Sequence, residues 1–137
     1  IAEKYMVDES GYELKDYKFF CFDGKAELMF IAKDRGLKDE ETKFNFYDMN
    51  FKLLPFTNGH PNFKENIEKP KTFNKMKELA EVLSKNIPQV RIDFYDINGQ
   101  VYFGETTFFH WSGLMPFKPS EWDKKLGDYI VLPKKTN

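Results

Sequence analysis

The chain has 137 residues, of which 41% are hydrophobic and 31% charged, and its formal net charge is -1. These values are typical of one globular domain and exclude a disordered chain, a collagen-like repeat and a coiled coil. The near-neutral charge, with 19 Lys and only two Arg, argues against nucleic acid as a partner, because its phosphates attract basic surfaces and its base edges favour Arg.

The sequence predicts neither a membrane span nor a cysteine-based site. Its longest uninterrupted apolar run, residues 28–32, is far shorter than the roughly 20 residues that cross a bilayer, and no secretory signal is recognised. A lone Cys21 cannot form an internal disulfide, and with His60 and His110 it cannot complete a Cys/His zinc cluster. We therefore expect a protein of the reducing cytoplasm.

A β-hairpin is predicted near the start of the chain. Residues 17–22 and 25–31 are largely apolar, and they flank Asp23 and Gly24. This dipeptide favours a two-residue turn between antiparallel strands. Cys21 lies between two Phe residues and is predicted to be a small buried hydrophobe.

A charged stretch and an aromatic run come next. Residues 33–43 fit either a short helix or an exposed loop. Residues 44–56 are rich in Phe, but Asp48, Asn50 and Pro55 argue against one long central strand there. We predict that the aromatic side chains pack in the core. Aromatic faces also stack on sugar rings, so carbohydrate binding by this run stays open as an alternative.

One long loop and one helix follow the aromatic run. Residues 57–71 carry Gly, Pro, Asn and Lys without periodicity, which predicts a loop of functional or mobile character. Thr72 is a suitable N-cap, and apolar residues then recur every three or four positions until Asn86 and Pro88. The pattern predicts a helix over residues 72–85.

Four more elements complete the predicted fold. They are strands at residues 89–95 and 100–108 around a turn at 96–99, a short helix from Pro119 and Ser120 to near Gly127, and an apolar strand at 129–132. No composition shift divides the chain. We predict an α+β fold with a mostly antiparallel sheet and one main packed helix.

The register of the second hairpin decides where its charged side chains point. A two-residue loop would send Asp93 and Glu105 to opposite sides of the sheet. A three-residue loop at residues 97–99 would pair Asp93 with Phe103 and Arg91 with Glu105, and it would put all the charges on one face. We predict the three-residue loop, because the other face is then mostly apolar and suited to packing against the helix.

Two carboxylates on one face suggest a metal site. In the predicted register the Cβ atoms of Asp93 and Glu105 are roughly 5 to 8 Å apart, so both could reach one hard cation. Mg²⁺ is usually bound by one or two carboxylates together with substrate phosphates, and Arg91 would offset their charge in its absence. The alternative is a surface ion pair between Arg91 and Glu105, worth less than about 1 kcal/mol and without function. The spacing by itself does not choose between them.

Four segments of the chain resemble a known family. They are DYKFFCFDGK at residues 16–25, NFYDMNFKLLPF at 45–56, VRIDFYDINGQVYFGETTFFHWSG at 90–113 and FKPSEWDKKLGDYIVLP at 117–133. In this order they are similar to the C-terminal part of the TupA-like ATP-grasp proteins. That family is associated with teichuronopeptide and polysaccharide biosynthesis, and its members are often described as glycosyltransferases.

The resemblance implies an ATP-grasp architecture, in which ATP and Mg²⁺ lie between two α+β subdomains. Residues 1–137 would form most of the second subdomain, a single partial domain, and an N-terminal portion would be missing. Since the first subdomain would supply the other half of the site, we expect these residues alone not to turn over ATP. The exposed half-domain surface could also let the chain self-associate.

The candidate site residues combine this resemblance with the charge pattern. Lys18 and Arg91 are candidate catalytic residues, Lys18 and Glu3 would bind the nucleotide, and Asp93, Glu105 and Thr107 would bind the metal. For Lys18 a solvated position at a strand end is the competing interpretation. Many ATP-grasp enzymes have Asn where this sequence has Thr107. His110 is predicted to be a packed or surface residue and not a catalytic one.

The function implied is Mg-ATP-dependent ligation in cell-surface polysaccharide or teichuronopeptide biosynthesis, with an amino acid or sugar acid joined to a saccharide carrier. A glycosyltransferase that uses a nucleotide-sugar is one alternative. A non-catalytic carbohydrate-binding module is the other, because of the aromatic content. The expected partners are therefore a nucleotide and a saccharide or amino-acid acceptor.

Overall fold

The computed structural model describes residues 6–11, 14–33 and 41–134. Its elements are β1 (Asp16–Phe22), β2 (Lys25–Lys33), β3 (Lys43–Asp48), β4 (Thr57–Asn58), α1 (Phe73–Leu83), β5 (Val90–Ile97), β6 (Gln100–Thr107), a 3₁₀ segment (His110–Gly113), β7 (Phe117–Lys118) and α2 (Glu121–Gly127). Five strands form an antiparallel sheet in the order β3-β2-β1-β5-β6, and β4 pairs with β7. The predicted α+β class with a mostly antiparallel sheet is confirmed.

The first hairpin forms as predicted, and its first strand is the centre of the sheet. Asp23 and Gly24 both have positive φ, 48° and 81°, which is the geometry of a two-residue turn that matches the strand twist. All seven residues of β1 are buried, including Asp16 and Lys18. Because a buried charge is costly without a partner, these two side chains require nearby groups of opposite charge.

One face of the sheet packs against α1. The helix buries Phe73, Met76 and Ala80 in a core that also contains Phe19 and Ile92. The predicted helix is confirmed, with an observed span two residues shorter at its end and one at its start. The predicted capping role of the Thr72 side chain is wrong.

Thr72 occupies the N-cap position of α1 in a helical backbone conformation and makes no side-chain cap hydrogen bond. Its hydroxyl instead donates to the Asp96 carboxylate at 2.5 Å. A carboxylate is a stronger acceptor partner than a backbone group. Thr72 therefore ties the helix to the turn of the second hairpin.

The other face of the sheet is covered by α2 and the β4–β7 pair. Its core contains Phe30, Phe46 and Phe56 together with Trp122 and Leu126 of α2. The predicted packing of the aromatic run is confirmed. The predicted helix after Pro119 and Ser120 is also confirmed.

Residues 129–132, predicted as a strand, are irregular and exposed. A strand needs a partner edge for its backbone groups, and this segment instead follows α2. There the Tyr129 ring lies 5.3 Å from that of Phe22. The strand prediction rested on apolar composition alone, and this prediction is wrong.

The long loop at residues 57–71 is irregular apart from β4, in agreement with the prediction. For the charged stretch at 33–43, residues 34–40 lie outside the described part of the chain. Cys21 is buried, as predicted. Within the described ranges, no helix combines the length and apolar character required to cross a bilayer.

The predicted three-residue loop of the second hairpin is wrong. Asn98 and Gly99 form a two-residue loop with φ of 53° and 80°, and Ile97 pairs directly with Gln100. Both loop residues can adopt the left-handed conformation that this turn requires, since Asn tolerates it and Gly has no Cβ. The register that the sequence analysis rejected is the one that forms at the loop.

A β-bulge then changes the register farther along the hairpin. Phe94 pairs with Phe103, but Ile92 pairs with Thr106, so Gly104 and Glu105 together lie opposite Asp93. A Cβ on Gly104 would lie 3.1 Å from the Asp93 carbonyl oxygen, which makes the bulge tight. The extra residue brings Glu105 back to the face that carries Asp93. The expected juxtaposition of the two carboxylates therefore occurs, but by a different route.

Candidate functional site

The charged side chains of the sheet lie on the face opposite α1. Lys18 of β1 is paired on one side with Asp93 of β5 and on the other with Phe30 of β2. Two residues along β1, on the same face, Phe20 is paired with Arg91. The face is thus divided between charged residues on β1, β5 and β6 and phenylalanines on β2 and β3.

Asp93 is the centre of the charged cluster. Its side chain is 1% exposed, and its Oδ1 accepts a hydrogen bond from Arg91 Nε at 2.8 Å. Its Oδ2 accepts from Arg91 Nη2 at 2.8 Å and from Lys18 Nζ. A bidentate guanidinium pair is among the strongest polar contacts in proteins. The buried Asp93 carboxylate is therefore bound by two cations, Lys18 and Arg91.

Arg91 joins the two carboxylates. Its Nη2 also donates to Glu105 Oε1 at 2.8 Å and to Thr107 Oγ1 at 2.9 Å, and the Thr107 hydroxyl donates to the same Glu105 oxygen at 3.2 Å. The predicted Arg91–Glu105 ion pair is confirmed, but Arg91 is buried and also binds Asp93, so the pair is not a simple surface contact. Three of the predicted site residues, Asp93, Glu105 and Thr107, converge on this guanidinium.

Glu105 is the solvent-facing member of the cluster. Its side chain is 61% exposed, and its hydrogen bonds in the described part of the chain all involve Oε1. Oε2 therefore faces solvent without a protein donor among the described residues. Glu105 is therefore the exposed carboxylate of the cluster, whereas Asp93 is the buried one.

Lys18 is buried in the middle of the sheet, with only 6% of its surface exposed. Its Nζ binds the Asp93 carboxylate and lies 3.7 Å from Asp16 Oδ1. The interpretation of Lys18 as a solvated lysine at a strand end is therefore wrong. The Lys18 ammonium is therefore held between two carboxylates inside the sheet.

Of the other predicted residues, Glu3 lies outside the described residues. Lys18, Arg91, Asp93, Glu105 and Thr107 are brought together on one face. The cluster also includes Asp16, which the sequence analysis did not select. The available signal was its spacing of two residues from Lys18, which places both side chains on one face of a strand.

The protein groups of the cluster do not form a complete metal site, so a hard cation would need further ligands such as phosphate oxygens. The described residues contain no group of three or more His, Cys, Asp or Glu side chains placed to bind a metal ion. Two carboxylates, one of them with a solvent-facing oxygen, match the usual donor set of Mg²⁺, which keeps waters and shares phosphate oxygens. Asp93, Glu105 and the Thr107 hydroxyl are the oxygen donors that could bind it.

The sequence analysis did not assign His110 to the site, yet it lies in direct contact with Arg91. Its Nδ1 is 2.7 Å from Arg91 Nη1, and its Nε2 is 2.9 Å from Asn58 Oδ1. The ring packs edge-on against Phe20, with 5.0 Å between centroids. Burial, and then the positive charge of Arg91, lowers the pKa of His110 from 6.5 to about 3.

The lowered pKa of His110 predicts a specific loss of stability in acid. Below its unfolded pKa of about 6.5, His110 in the unfolded chain binds a proton that the folded protein excludes until about pH 3. Stability should therefore fall as the pH drops through this window. The free energy of unfolding in urea should be measured at several pH values from 7 to 4 for the wild type and for His110→Gln. Its pH dependence should show that the wild type takes up about one more proton on unfolding than the variant does. Equal pH dependence of the two proteins would contradict the buried neutral imidazole.

An apolar groove of about 670 Å³ adjoins the charged cluster. Its walls come from the sheet, the 3₁₀ segment, α2 and the segment after it, and they include Phe20, Phe108, Met115, Leu126 and Ile130. His110 also lines the groove and contacts Arg91 on its other side. The imidazole is therefore shared by the groove and the charged cluster.

Comparison with known proteins identifies the family of the chain. A family model described as TupA-like ATPgrasp matches residues 1–131. No curated protein and no solved structure matches the chain. The family match covers nearly all of the 137 residues, and the resemblance seen in the sequence is confirmed. The chain therefore belongs to the TupA-like ATPgrasp family.

Proposed function

We propose that this chain supplies the metal- and phosphate-binding half of a Mg-ATP-dependent ligase that acts on a saccharide acceptor. The observation that carries the proposal is the convergence of Asp93, Glu105 and Lys18 around Arg91 on one sheet face. Family membership supports an ATP-grasp-related role. Cell-surface polysaccharide or teichuronopeptide synthesis, as in the resemblance above, would be the setting.

The protein groups would act by changing partners when the nucleotide binds. Lys18 and Arg91 now satisfy the Asp93 carboxylate. A triphosphate offers both cations stronger anionic partners, Lys18 as a point charge and Arg91 as a planar fork. Asp93 would then become available beside Glu105. A bound Mg²⁺ would neutralise phosphate charge as it shifts during transfer.

The reaction class follows from the family resemblance. A substrate carboxylate would take the γ-phosphoryl group of ATP, with ADP leaving, to give an acyl phosphate. An amine or hydroxyl of the acceptor would then attack the carbonyl, lose a proton and displace phosphate. The role of Lys18 and Arg91 would be to hold the phosphates in line and offset their charge, which is where such enzymes gain most of their rate.

Calorimetric titration of the complete protein with ATP in the presence and absence of Mg²⁺ tests the proposal. Glu105→Gln is the cleanest variant, because the side chain is exposed and its loss should leave the fold intact. We expect Glu105→Gln and Asp93→Asn each to weaken Mg-ATP binding at least about tenfold, since each removes one charged ligand. Glu78→Gln changes an exposed acid on α1, the helix that covers the opposite face of the sheet, and as the matched control it should leave Mg-ATP binding unchanged.

The same titration separates the alternatives. Tight binding of a nucleotide-sugar with no response to ATP would favour the glycosyltransferase. Unchanged Mg-ATP affinity in both acid variants would refute the metal assignment.

A further inference from the structure

We infer that His110 and Asn58 form a positioning pair that fixes the guanidinium of Arg91. The inference rests on the proposed function for its consequence, because Arg91 is the residue that joins Asp93 to Glu105. Its structural basis is independent of that function. It is a chain of hydrogen bonds in which every donor and acceptor can be assigned.

The donors and acceptors of this hydrogen-bond chain can be assigned by starting from Arg91, which can only donate. His110 Nδ1, 2.7 Å from Arg91 Nη1, must therefore be the unprotonated nitrogen. The neutral ring then has its proton on Nε2, which donates to Asn58 Oδ1 at 2.9 Å. A His partner that orients a second group through its other nitrogen is a recurrent arrangement in functional sites.

Asn58 is itself held in one orientation. Its Nδ2 donates to the backbone carbonyls of Met115 and Pro116, at 2.9 and 3.2 Å, so its Oδ1 is the atom turned toward His110. The residue is 1% exposed and is paired with Phe117 in the β4–β7 ladder. The amide cannot flip without leaving two buried donors without acceptors.

The backbone around His110 is also constrained. Trp111 and Ser112 have φ of 51° and 55°, a left-handed conformation that costs energy for residues with a Cβ. A Cβ on Gly59 would lie 2.9 Å from the Trp111 ring, so the two segments are in close contact. The strained turn fixes the imidazole above Arg91.

The consequence for the site is geometric. With Nη1 bound to His110, the Nε–Nη2 edge of the guanidinium is the edge that faces Asp93. Nη2 is then the nitrogen that reaches Glu105. A neutral imidazole achieves this without adding a third cation to Lys18 and Arg91. His110 is thus a positioning residue and not a catalytic one.

Two substitutions of His110 separate positioning from packing. His110→Asn places an amide oxygen near the position of Nδ1, so it keeps an acceptor for Arg91 but loses the hydrogen bond to Asn58. His110→Gln reaches the position of Nε2, so it keeps a partner for Asn58 while it withdraws the acceptor from Arg91. Asn58→Leu keeps the branched shape of the Asn58 side chain and removes its hydrogen bonds. All three are to be made in the complete protein.

Nitrogen-15 NMR is the first measurement and does not depend on activity. In the wild type we expect His110 to show an unprotonated Nδ1 and a protonated Nε2, and Arg91 to show separately resolved Nη protons because rotation of its guanidinium is hindered. The Arg91 signals should average in His110→Gln and stay resolved in His110→Asn. A protonated Nδ1, or resolved Arg91 signals in His110→Gln, would overturn the pair whether or not ATP binds.

Mg-ATP affinity is the second measurement. We expect a loss of about tenfold in His110→Gln, the cost of one hydrogen bond to a charged group, and a smaller loss in His110→Asn. Equal losses in both variants would mean that packing alone matters and would overturn the positioning role. If the wild type binds no Mg-ATP but the NMR signatures are as expected, the proposed function fails and the positioning of Arg91 stands.

Discussion

Replacement of Asp93 by Leu is expected to destabilise the fold by about 3–5 kcal/mol, because it removes the buried carboxylate to which two buried cations are bound. Asp93 accepts hydrogen bonds from both Lys18 and Arg91, and both are buried. Urea unfolding followed by circular dichroism measures the loss.

The second cation provides the control for this prediction. Lys18→Met in the Asp93→Leu background removes one of the two cations that lose Asp93 and should restore part of the lost stability, because the effects of substitutions at residues in contact are not additive. Asp128→Leu, an acid in an exposed ion pair with Lys124, should cost less than about 1 kcal/mol. A loss of that small size for Asp93→Leu would show that the cluster is not a buried charge network.

Replacement of Phe46 by Ala is expected to cost about 3–5 kcal/mol, as for other large aromatic side chains in cores. Phe46 is 0% exposed, and its ring lies 4.6 Å from that of Phe56 and 5.1 Å from that of Phe30. Truncation therefore leaves a cavity in the aromatic layer beneath α2. Thermal and urea unfolding measure the effect.

The comparison for Phe46 is Phe109, which is 76% exposed. Phe109→Ala should change stability by no more than about 0.5 kcal/mol. The burial of Phe46 also bears on the carbohydrate-binding interpretation, because a ring inside the core offers no face to a sugar. If Phe46→Ala were as mild as Phe109→Ala, the assignment of this run to the core would be wrong.

Local patterns in the sequence were sufficient for most of the elements. The dipeptide at Asp23 and Gly24 and the apolar spacing of residues 72–85 are signals carried by neighbouring residues, and both elements form. Residues 129–132 show the limit of this approach. They are apolar enough for a strand, yet no partner edge receives them in the described structure.

The second hairpin shows why register needs more than a local pattern. In a hairpin without irregularities, the loop length sets the pairing along both strands. A two-residue loop would then place Asp93 and Glu105 on opposite faces. A bulge at Gly104 changes the pairing midway and brings the acids together. Asp93 and Glu105 were therefore correctly predicted to share a face, although the predicted three-residue loop was wrong.

The sequence by itself determined the α+β class, the two hairpins, the helix and the identity of the charged residues, because hydrophobic periodicity and turn chemistry act over a few neighbouring positions. Only the tertiary structure decided the burial of Lys18 and the contact of His110 with Arg91 and Asn58. Asn58 and His110 are 52 residues apart in the chain. This hydrogen bond forms only after the two segments have packed on the same face of the sheet. Neither segment's sequence indicates that contact.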